Sequence, residues 1–176
     1  GRGFCAGLDM GSFQGMADSS GSASAADGLL KRDERPENHA QRPAYVWKRM
    51  PVPVITAIHG VAYGGGLQVA LGADIRIAHP DTKLSIMEMK WGLVPDMGGM
   101  VLLPQLTRSD VIRKMTYTHE PITADQAERW GLVTELAEDP LAAAMDLAGV
   151  IAEKSPSAIR AAKRLIEVAE TAGPDE

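Results

Sequence analysis

The fold is decided by residues 53–66, which read PVITAIHGVAYGGG. The first half, from Val54 to Ile58, is an apolar and largely β-branched run of the length of a buried strand, and Gly60 ends it. Three glycines, Gly64 to Gly66, then precede the segment LQVAL, in which apolar residues recur at helical spacing. The stretch therefore predicts a buried strand, followed by a short buried helix with glycines at its N-terminus.

Beyond this stretch the chain changes from strands to helices. The expected elements are strands at 75–78 and 83–86, a helix from a Ser109 cap to about Tyr117, a helix opened by a Thr123–Gln126 capping box, a strand near 132–136, and two amphipathic helices that begin after Asp139 and Ser155. Strands followed by helices in this order predict an α/β fold.

Length and composition indicate one soluble folded domain. The chain has 176 residues, of which 45% are hydrophobic and 23% charged. Its net charge of −5 argues against a nucleic-acid surface or a polybasic membrane anchor. No apolar run reaches the length of a membrane-spanning helix. The single cysteine, Cys5, excludes an intramolecular disulfide, so a cytoplasmic location is expected.

Residues 11–41 and the four histidines do not predict a catalytic or metal site. Residues 11–41 are rich in Ser, Gly, Asp and Ala without apolar periodicity, and we expect a mobile polar surface segment there. The four histidines form no i, i+4 pair, so no metal site is predicted.

Backbone amides at two places can bind an anion or an oxyanion. One is the turn FCAGLD at residues 4–9, and the other is the glycine-rich start of the helix after Tyr63. Close packing of a helix on a strand explains such glycines equally well. A nucleotide phosphate loop is excluded, because no Gly-Lys-Ser/Thr follows the glycines.

The acidic candidates are Glu88 and Asp96, which lie among mostly apolar neighbours. We expect both carboxylates to be desolvated, which makes a carboxylate a stronger base for proton transfer. In the structural alternative, Glu88 forms an ion pair and Asp96 stabilises a turn after Pro95.

Five motifs in this order resemble the crotonase superfamily, the enoyl-CoA hydratases and isomerases. They are GFCAGLD at 3–9, PVITAIHGVAYGGG at 53–66, ADIRIA at 73–78, GLVPDMGG at 92–99 and ITADQAERWGLV at 122–133. The resemblance implies one domain over 1–176, a spiral of ββα units over 1–136 followed by C-terminal helices over 137–176. It also implies that N-terminal strands and a last helical stretch of the family are missing from this chain.

The resemblance further implies an acyl-CoA thioester substrate whose enolate the site stabilises. Coenzyme A belongs to that substrate, no separate cofactor is expected, and the family forms homotrimers or hexamers through its C-terminal helices. The oxyanion hole falls on the amides of Ala6 and Gly65. The substrate-binding positions are Ala6, Gly7, Leu8, Asp9, Gly64, Gly65 and Gln68.

The side chains favour isomerase-type proton transfer over hydration. Hydratases resemble one another in using two glutamates, and the first of these falls on Gln68, which cannot accept a proton near neutral pH. The second falls on Glu88, and an acid that dienoyl-CoA isomerases use falls on Asp96, so both are catalytic candidates. True hydration and a non-catalytic acyl-CoA-binding protein remain alternatives, and hydrolase, decarboxylase and dehalogenase chemistry share the scaffold.

Overall fold

The computed structural model describes residues 1–7, 11 and 37–172. The named helices are α1 Arg42–Lys48, α2 Gly65–Leu71, α3 Gly99–Leu102, α4 Ser109–Thr118, α5 Ala124–Arg129, α6 Pro140–Ala152 and α7 Pro156–Thr171. Short 3-10 helices span Met87–Trp91 and Leu103–Gln105. The strands are β1 Ile55–Ile58, β2 Val61–Tyr63, β3 Ile75–Ala78, β4 Lys83–Ser85, β5 Ile122–Thr123 and β6 Glu135–Leu136.

The strands form two three-stranded sheets between which the chain alternates. One sheet has the order β1-β3-β6 and is parallel throughout, and the other has the order β2-β4-β5, with β2 and β4 parallel and β5 antiparallel to β4. Successive strands β1 and β2 enter different sheets, and β3 and β4 do the same one helix later. This repeat is the expected ββα arrangement, although β2 itself was not predicted from the sequence.

Gly60 makes the corner between β1 and β2. Its φ of +67° lies in the left-handed region, and a Cβ at this position would lie 2.5 Å from the carbonyl oxygen of Arg2. Glycine therefore allows the N-terminal segment to run beside the corner. The amide of Phe4 donates a hydrogen bond to the carbonyl of His59 at 2.9 Å, which holds that segment in place.

The helix ends agree with the predicted capping residues in two cases. The Thr123–Gln126 capping box is present, with both of its hydrogen bonds. Asp139 caps α6 by accepting a hydrogen bond from the amide of Ala142 at 3.0 Å. The expectation that Ser109 is an N-cap is wrong, because Ser109 is the first helical residue of α4.

Two other helix ends differ from expectation in their chemistry. Arg108, in an extended conformation, is the N-cap of α4, and its side chain makes no cap hydrogen bond. Ser155 precedes Pro156 at the start of α7 as predicted, but its hydroxyl lies 3.1 Å from the hydroxyl of Ser157 and does not cap the helix.

The core lies between α2, the two sheets and the helices α3 to α5. Its largest fully buried side chains are Ile58, Leu67, Ile77, Leu84, Ile86, Leu103, Met115 and Leu132. Helix α1 crosses α2 closely, since a Cβ on Gly72 would lie 2.0 Å from the carbonyl oxygen of Ala44. Among the described helices, none combines the length and apolar character that crossing a membrane requires.

Arg76 is a buried cation on β3. It is 3% exposed and donates from Nε to the carbonyl of Leu132 at 2.8 Å and from Nη1 to the carbonyl of Ala73 at 2.6 Å. Burial lowers the pKa of the Arg76 guanidinium, and the nearby charge of Asp74 opposes this effect. Arg76 therefore connects β3 to the segment before β6 through backbone carbonyls.

Lys163 fastens the C-terminal helix α7 to the sheet. Its side chain is 8% exposed, and Nζ donates to Oδ2 of Asp74 at 2.8 Å and to the carbonyls of Trp47 and Val52 at 3.3 Å and 3.1 Å. The same Asp74 oxygen accepts a hydrogen bond from the amide of Val54 at 2.7 Å. One ammonium group thus joins α7, α1 and the approach to β1.

Removing this ammonium group should destabilise the protein. Lys163→Met leaves the Asp74 carboxylate without its cation and two carbonyls without their donor, so we expect unfolding to become easier by about 3 kcal/mol. Urea denaturation followed by circular dichroism measures the effect. Arg164→Met, at the adjacent exposed position, is the control and should change stability by less than about 0.5 kcal/mol. Equal stabilities of the two variants would contradict the fastening role.

Candidate active site

The turn after Phe4 and the glycine-rich helix start are neighbours in the structure. The Cys5 amide donates to the carbonyl of Val61 at 2.9 Å, and the Tyr63 amide donates to the carbonyl of Cys5 at 2.9 Å. Cys5 therefore extends the second sheet beside β2 in parallel. Because β2 continues directly into Gly64, the turn and the start of α2 lie at the same edge of this sheet.

Each of the three glycines is required at its position for a different steric reason. Gly64 has a φ of +55° and a ψ of −126°, a combination that other residues rarely adopt. A Cβ on Gly65 would lie 2.7 Å from Sδ of Met97. A Cβ on Gly66 would lie 2.5 Å from the Cβ of Cys5. The missing side chains let the helix, the turn and the loop after Pro95 meet.

The two predicted oxyanion donors are placed close to this contact. Ala6 directly follows Cys5, and Gly65 directly precedes Gly66, so each amide lies one residue from the contact between Cys5 and Gly66. Gly65 is the first residue of α2, where an amide has no acceptor within its own helix. Among the described residues, neither amide donates a hydrogen bond to a backbone carbonyl.

Glu88 reaches the same place from the 3-10 helix Met87–Trp91. Its Oε1 accepts a hydrogen bond from Nε2 of Gln68 at 2.6 Å, whereas its Oε2 is buried and has no hydrogen-bond partner among the residues that the structure describes. A Cβ on Gly64 would lie 3.4 Å from Oε1 of Glu88, so the carboxylate occupies space that this glycine leaves open. The alternative of a structural ion pair has no support within the described residues, where Glu88 forms no ion pair.

Gln68 is held at both ends of its side-chain amide. It is 2% exposed on α2, donates to Glu88 from Nε2, and accepts a hydrogen bond at Oε1 from the amide of Gly99 at 2.9 Å. The role of Gly99 was not predicted from the sequence. The glycine pair Gly98-Gly99 was the available signal. Glycine is required at position 99 because a Cβ there would lie 2.8 Å from Cγ of Gln68.

The loop before α3 is packed from the other side by α1. A Cβ on Gly98 would lie 2.7 Å from the ring carbon Cε2 of Tyr45. Burial raises the pKa of the Tyr45 hydroxyl, so the ring is neutral over the ordinary pH range. The close contact fixes the segment that presents the Gly99 amide to Gln68.

Asp96 does not share the environment of Glu88. The expectation that it is desolvated is wrong, because its side chain is exposed. The apolar residues before it provide no cover, since Leu93 is 44% and Val94 70% exposed themselves. The structure brings Glu88, Gln68, Gly64, Gly65 and the Ala6 turn together, and the side chain of Asp96 is exposed.

Some predicted positions lie outside the described residues. Leu8 and Asp9 are among them, as is most of the segment 11–41. Gly7 is described and has a φ of +94°, with its missing Cβ directed to within 3.3 Å of the carbonyl oxygen of Tyr63. In the described part of the chain, no three His, Cys, Asp or Glu side chains group closely enough to hold a metal ion.

Known proteins match almost the whole chain. Residues 1–173 match the family model described as Enoyl-CoA hydratase/isomerase. Among curated proteins, a carnitinyl-CoA dehydratase of Salmonella arizonae is 36% identical over 115 residues, which cover 64% of this chain and 44% of the relative. The match thus spans less than half the length of that relative.

Solved structures match over a longer part of the chain. DspI of Pseudomonas aeruginosa aligns with a TM-score of 0.83 and 32% identity, covering 99% of this chain and 63% of DspI. An enoyl-CoA hydratase of Thermoplasma volcanium aligns with a TM-score of 0.82 and 30% identity, covering 99% of this chain and 65% of that protein. This chain therefore spans somewhat less than two thirds of each structure.

Adding a methyl group to Gly66 tests the contact that brings the two amides together. In Gly66→Ala the new Cβ would lie 2.5 Å from the Cβ of Cys5, which is a steric clash. We therefore expect a loss of about 2 kcal/mol in the free energy of unfolding. Gly149→Ala, in the middle of α6 with nothing within 4 Å, is the matched control and should raise stability by up to about 1 kcal/mol. Chemical denaturation of both variants measures this, and a Gly66→Ala protein as stable as the parent would refute the contact.

Proposed function

Because the chain belongs to the enoyl-CoA hydratase/isomerase family, we propose that it moves a proton at carbon two of an acyl-CoA thioester. Family membership confirms the resemblance to the crotonase superfamily, and the structural matches confirm its α/β fold. The substrate's own coenzyme A carries the thioester, and the proposed reaction requires no other cofactor.

The amides of Ala6 and Gly65 are proposed as the oxyanion hole. When a proton leaves carbon two, negative charge develops on the thioester oxygen, and fixed donors stabilise this charge more than the neutral carbonyl of the substrate. One such donor typically contributes about 3 kcal/mol to transition-state stabilisation. Their lack of backbone acceptors among the described residues, beside the Cys5–Gly66 contact, supports this role.

The observation that carries the proposal is the unpaired oxygen of Glu88. Within the part of the chain that the structure describes, Oε2 is buried without a hydrogen-bond partner, next to Gly64, while Oε1 is occupied by Gln68. A buried carboxylate oxygen without a partner is costly in a folded protein and is common where a group must accept a proton. We therefore assign the proton transfer to Glu88 alone.

Isomerisation of a 3-enoyl-CoA is the reaction that one carboxylate can complete. Glu88 takes the proton from carbon two, and the electrons of that C–H bond enter the enolate, whose charge the two amides share. The same carboxyl group then delivers the proton to carbon four, and the double bond moves from carbons three and four to carbons two and three. Atoms and charges balance without a second acid.

A second candidate is the removal or addition of water, which the relatives named carnitinyl-CoA dehydratase favour. In dehydration, Glu88 takes the proton from carbon two and then returns it to the hydroxyl leaving carbon three as water. Gln68 has no proton to exchange, so this route also depends on Glu88 alone. Isomerisation is favoured because hydratases resemble one another in using two glutamates, and the first of these positions holds Gln68 in this chain.

The C-terminal helices are proposed to pack between subunits of a homotrimer or hexamer. Large apolar side chains are exposed along both helices, namely Leu141, Met145 and Val150 on α6 and Leu165, Ile166 and Val168 on α7. Exposed apolar side chains that form a patch are typical of protein interfaces. These exposed side chains support the oligomer that the family resemblance implies. Light scattering measures its mass and therefore its number of subunits.

Replacing Glu88 tests the proposed reaction directly. Glu88→Gln keeps the shape of the side chain and removes its basicity, so turnover of a 3-enoyl-CoA to the conjugated 2-enoyl-CoA should fall by about 10²–10⁴-fold. The rise of the conjugated thioester absorbance measures this, with loss of crotonyl-CoA absorbance measured in parallel for hydration. The exposed Glu120→Gln is the control.

The outcomes separate the candidates. Turnover of the 3-enoyl-CoA alone, dependent on Glu88, supports isomerisation, and turnover of crotonyl-CoA alone supports the hydration candidate. If neither substrate reacts although acyl-CoA binds, the protein is a non-catalytic acyl-CoA-binding member of the family and the proposal fails.

Asp96 distinguishes a one-base from a two-base mechanism. Because its side chain is exposed, we expect Asp96→Asn to change kcat for the 3-enoyl-CoA by less than about threefold, well below the contribution of a general acid or base. The same absorbance assay measures it. A loss as large as that of Glu88→Gln would show that two acids share the proton transfer.

A further inference from the structure

We propose that Gln68 is a positioning residue that occupies Oε1 of Glu88 and thereby makes Oε2 the oxygen that takes the proton from carbon two. This inference rests on the proposed function and adds which oxygen of the base reacts and what holds it. It follows from the orientation of a single side-chain amide between two fixed neighbours.

The Gly99 amide determines which way the Gln68 amide points. An N–H group can only donate, so the atom that it contacts at 2.9 Å must be the carbonyl oxygen of Gln68. The NH₂ group of Gln68 then faces Glu88, where Nε2 lies 2.6 Å from Oε1. Rotating the amide by 180° would place donor against donor at Gly99 and oxygen against oxygen at Glu88.

A fixed NH₂ group restricts the position of its partner. It can only donate, so it holds Oε1 of Glu88 as the acceptor of a 2.6 Å hydrogen bond. The carboxyl group is therefore held in one orientation before the substrate binds, and the rate of proton transfer depends on such positioning.

The hydrogen bonds from Gly99 to Gln68 and from Gln68 to Glu88, here called the Gln68 clamp, also select the reacting oxygen. Gln68 occupies Oε1, while Oε2 is buried and has no partner in residues 1–7, 11 and 37–172. Both oxygens lie close to Gly64, at 3.4 Å and 3.8 Å from the position of its missing Cβ. Oε2 is thus the oxygen that meets carbon two when the thioester binds beside the glycine run.

No charged neighbour among the described residues holds the Glu88 carboxyl group as Gln68 does. Within the described residues, no ion pair of Glu88 is present. Helix α2 carries no titratable side chain, and Lys90 on the 3-10 helix of Glu88 lies over the ring of Trp91, 5.4 Å from its centre. The remaining titratable side chains on adjoining elements are Cys5 before β2, Tyr63 on β2, Lys83 on β4, Asp96 in the following loop, and Asp110, Arg113, Lys114 and Tyr117 on α4.

Hydrogen–deuterium exchange at carbon two of butyryl-CoA isolates the first proton transfer. This saturated thioester has no double bond to move and no hydroxyl to lose, so exchange in D₂O requires only proton removal and return. Mass spectrometry or NMR gives the exchange rate as a function of pH. The proteins compared are the parent, Glu88→Gln, Gln68→Met, Gln68→Glu, and Gln105→Glu as the control for an added negative charge.

We expect Gln68→Met to slow exchange by about 10- to 100-fold with little change in KM, since a misplaced base loses rate rather than binding. Gln68→Glu keeps the acceptor for Gly99 and places a second carboxyl group at 2.6 Å from Glu88. The two carboxyl groups will share one proton, which restores the donor at moderate pH and is lost at higher pH. This variant should therefore gain an alkaline decline in rate that the parent, Gln68→Met and Gln105→Glu lack.

The two proposals fail in different ways. If the parent shows no exchange, or Glu88→Gln exchanges as fast as the parent, the proposed function is wrong. The proposed role of Gln68 is then refuted as well. If Glu88→Gln abolishes exchange but Gln68→Met stays within about twofold of the parent, only the clamp is refuted. Gln68→Glu without an alkaline decline also refutes it, and this variant decides the matter if Gln68→Met does not fold.

Discussion

The close approach of α2 to the Cys5 turn is the constraint on which the site depends. It is possible only because Gly66 has no side chain, since a Cβ on Gly66 would overlap the side chain of Cys5. The contact lies one residue from the first amide of α2 and one residue from the amide that follows Cys5. It also leaves beside Gly64 the volume in which the Glu88 carboxylate lies. A backbone requirement thus determines where side-chain chemistry can occur.

A second feature is the chain of hydrogen bonds from Gly99 through Gln68 to Glu88. Each member depends on the one before, since the Gly99 amide orients Gln68 and Gln68 occupies one oxygen of Glu88. The chain crosses three elements that are distant in sequence, namely the 3-10 helix of Glu88, α2 and the start of α3. Buried polar groups become rigid where their hydrogen bonds are satisfied, and a buried polar atom without a partner is a candidate for chemistry.

Much of the fold follows from local sequence signals. The β-branched run ending at Ile58, the capping box at Thr123 and the Asp139-Pro140 helix start are each encoded within a few residues, and the structure contains all three. Strand β2 was missed because three residues between glycines are too short for any periodicity. Ser109 was mistaken for a cap because the extended conformation of Arg108 is not visible in the sequence.

The site was predictable in its residue types but not in its contacts. Glu88 and Gln68 stand out by their motifs, yet the hydrogen bond between them joins residues 20 positions apart and depends on how α2 packs. Asp96 shows the limit of reasoning from neighbours, because apolar residues beside it in sequence are themselves exposed. Burial is a property of the tertiary fold, so it separated two acids that the sequence made look alike.

A crystal structure of the protein with bound butyryl-CoA would show whether the Ala6 and Gly65 amides and Glu88 face the thioester. We expect the thioester oxygen to lie within about 3 Å of the amide nitrogens of both Ala6 and Gly65. We also expect carbon two to lie about 3–3.5 Å from Oε2 of Glu88, with Gln68 still bonded to Oε1. A thioester oxygen bound away from these amides, or a carbon two that faces Asp96 instead of Glu88, would contradict this expectation.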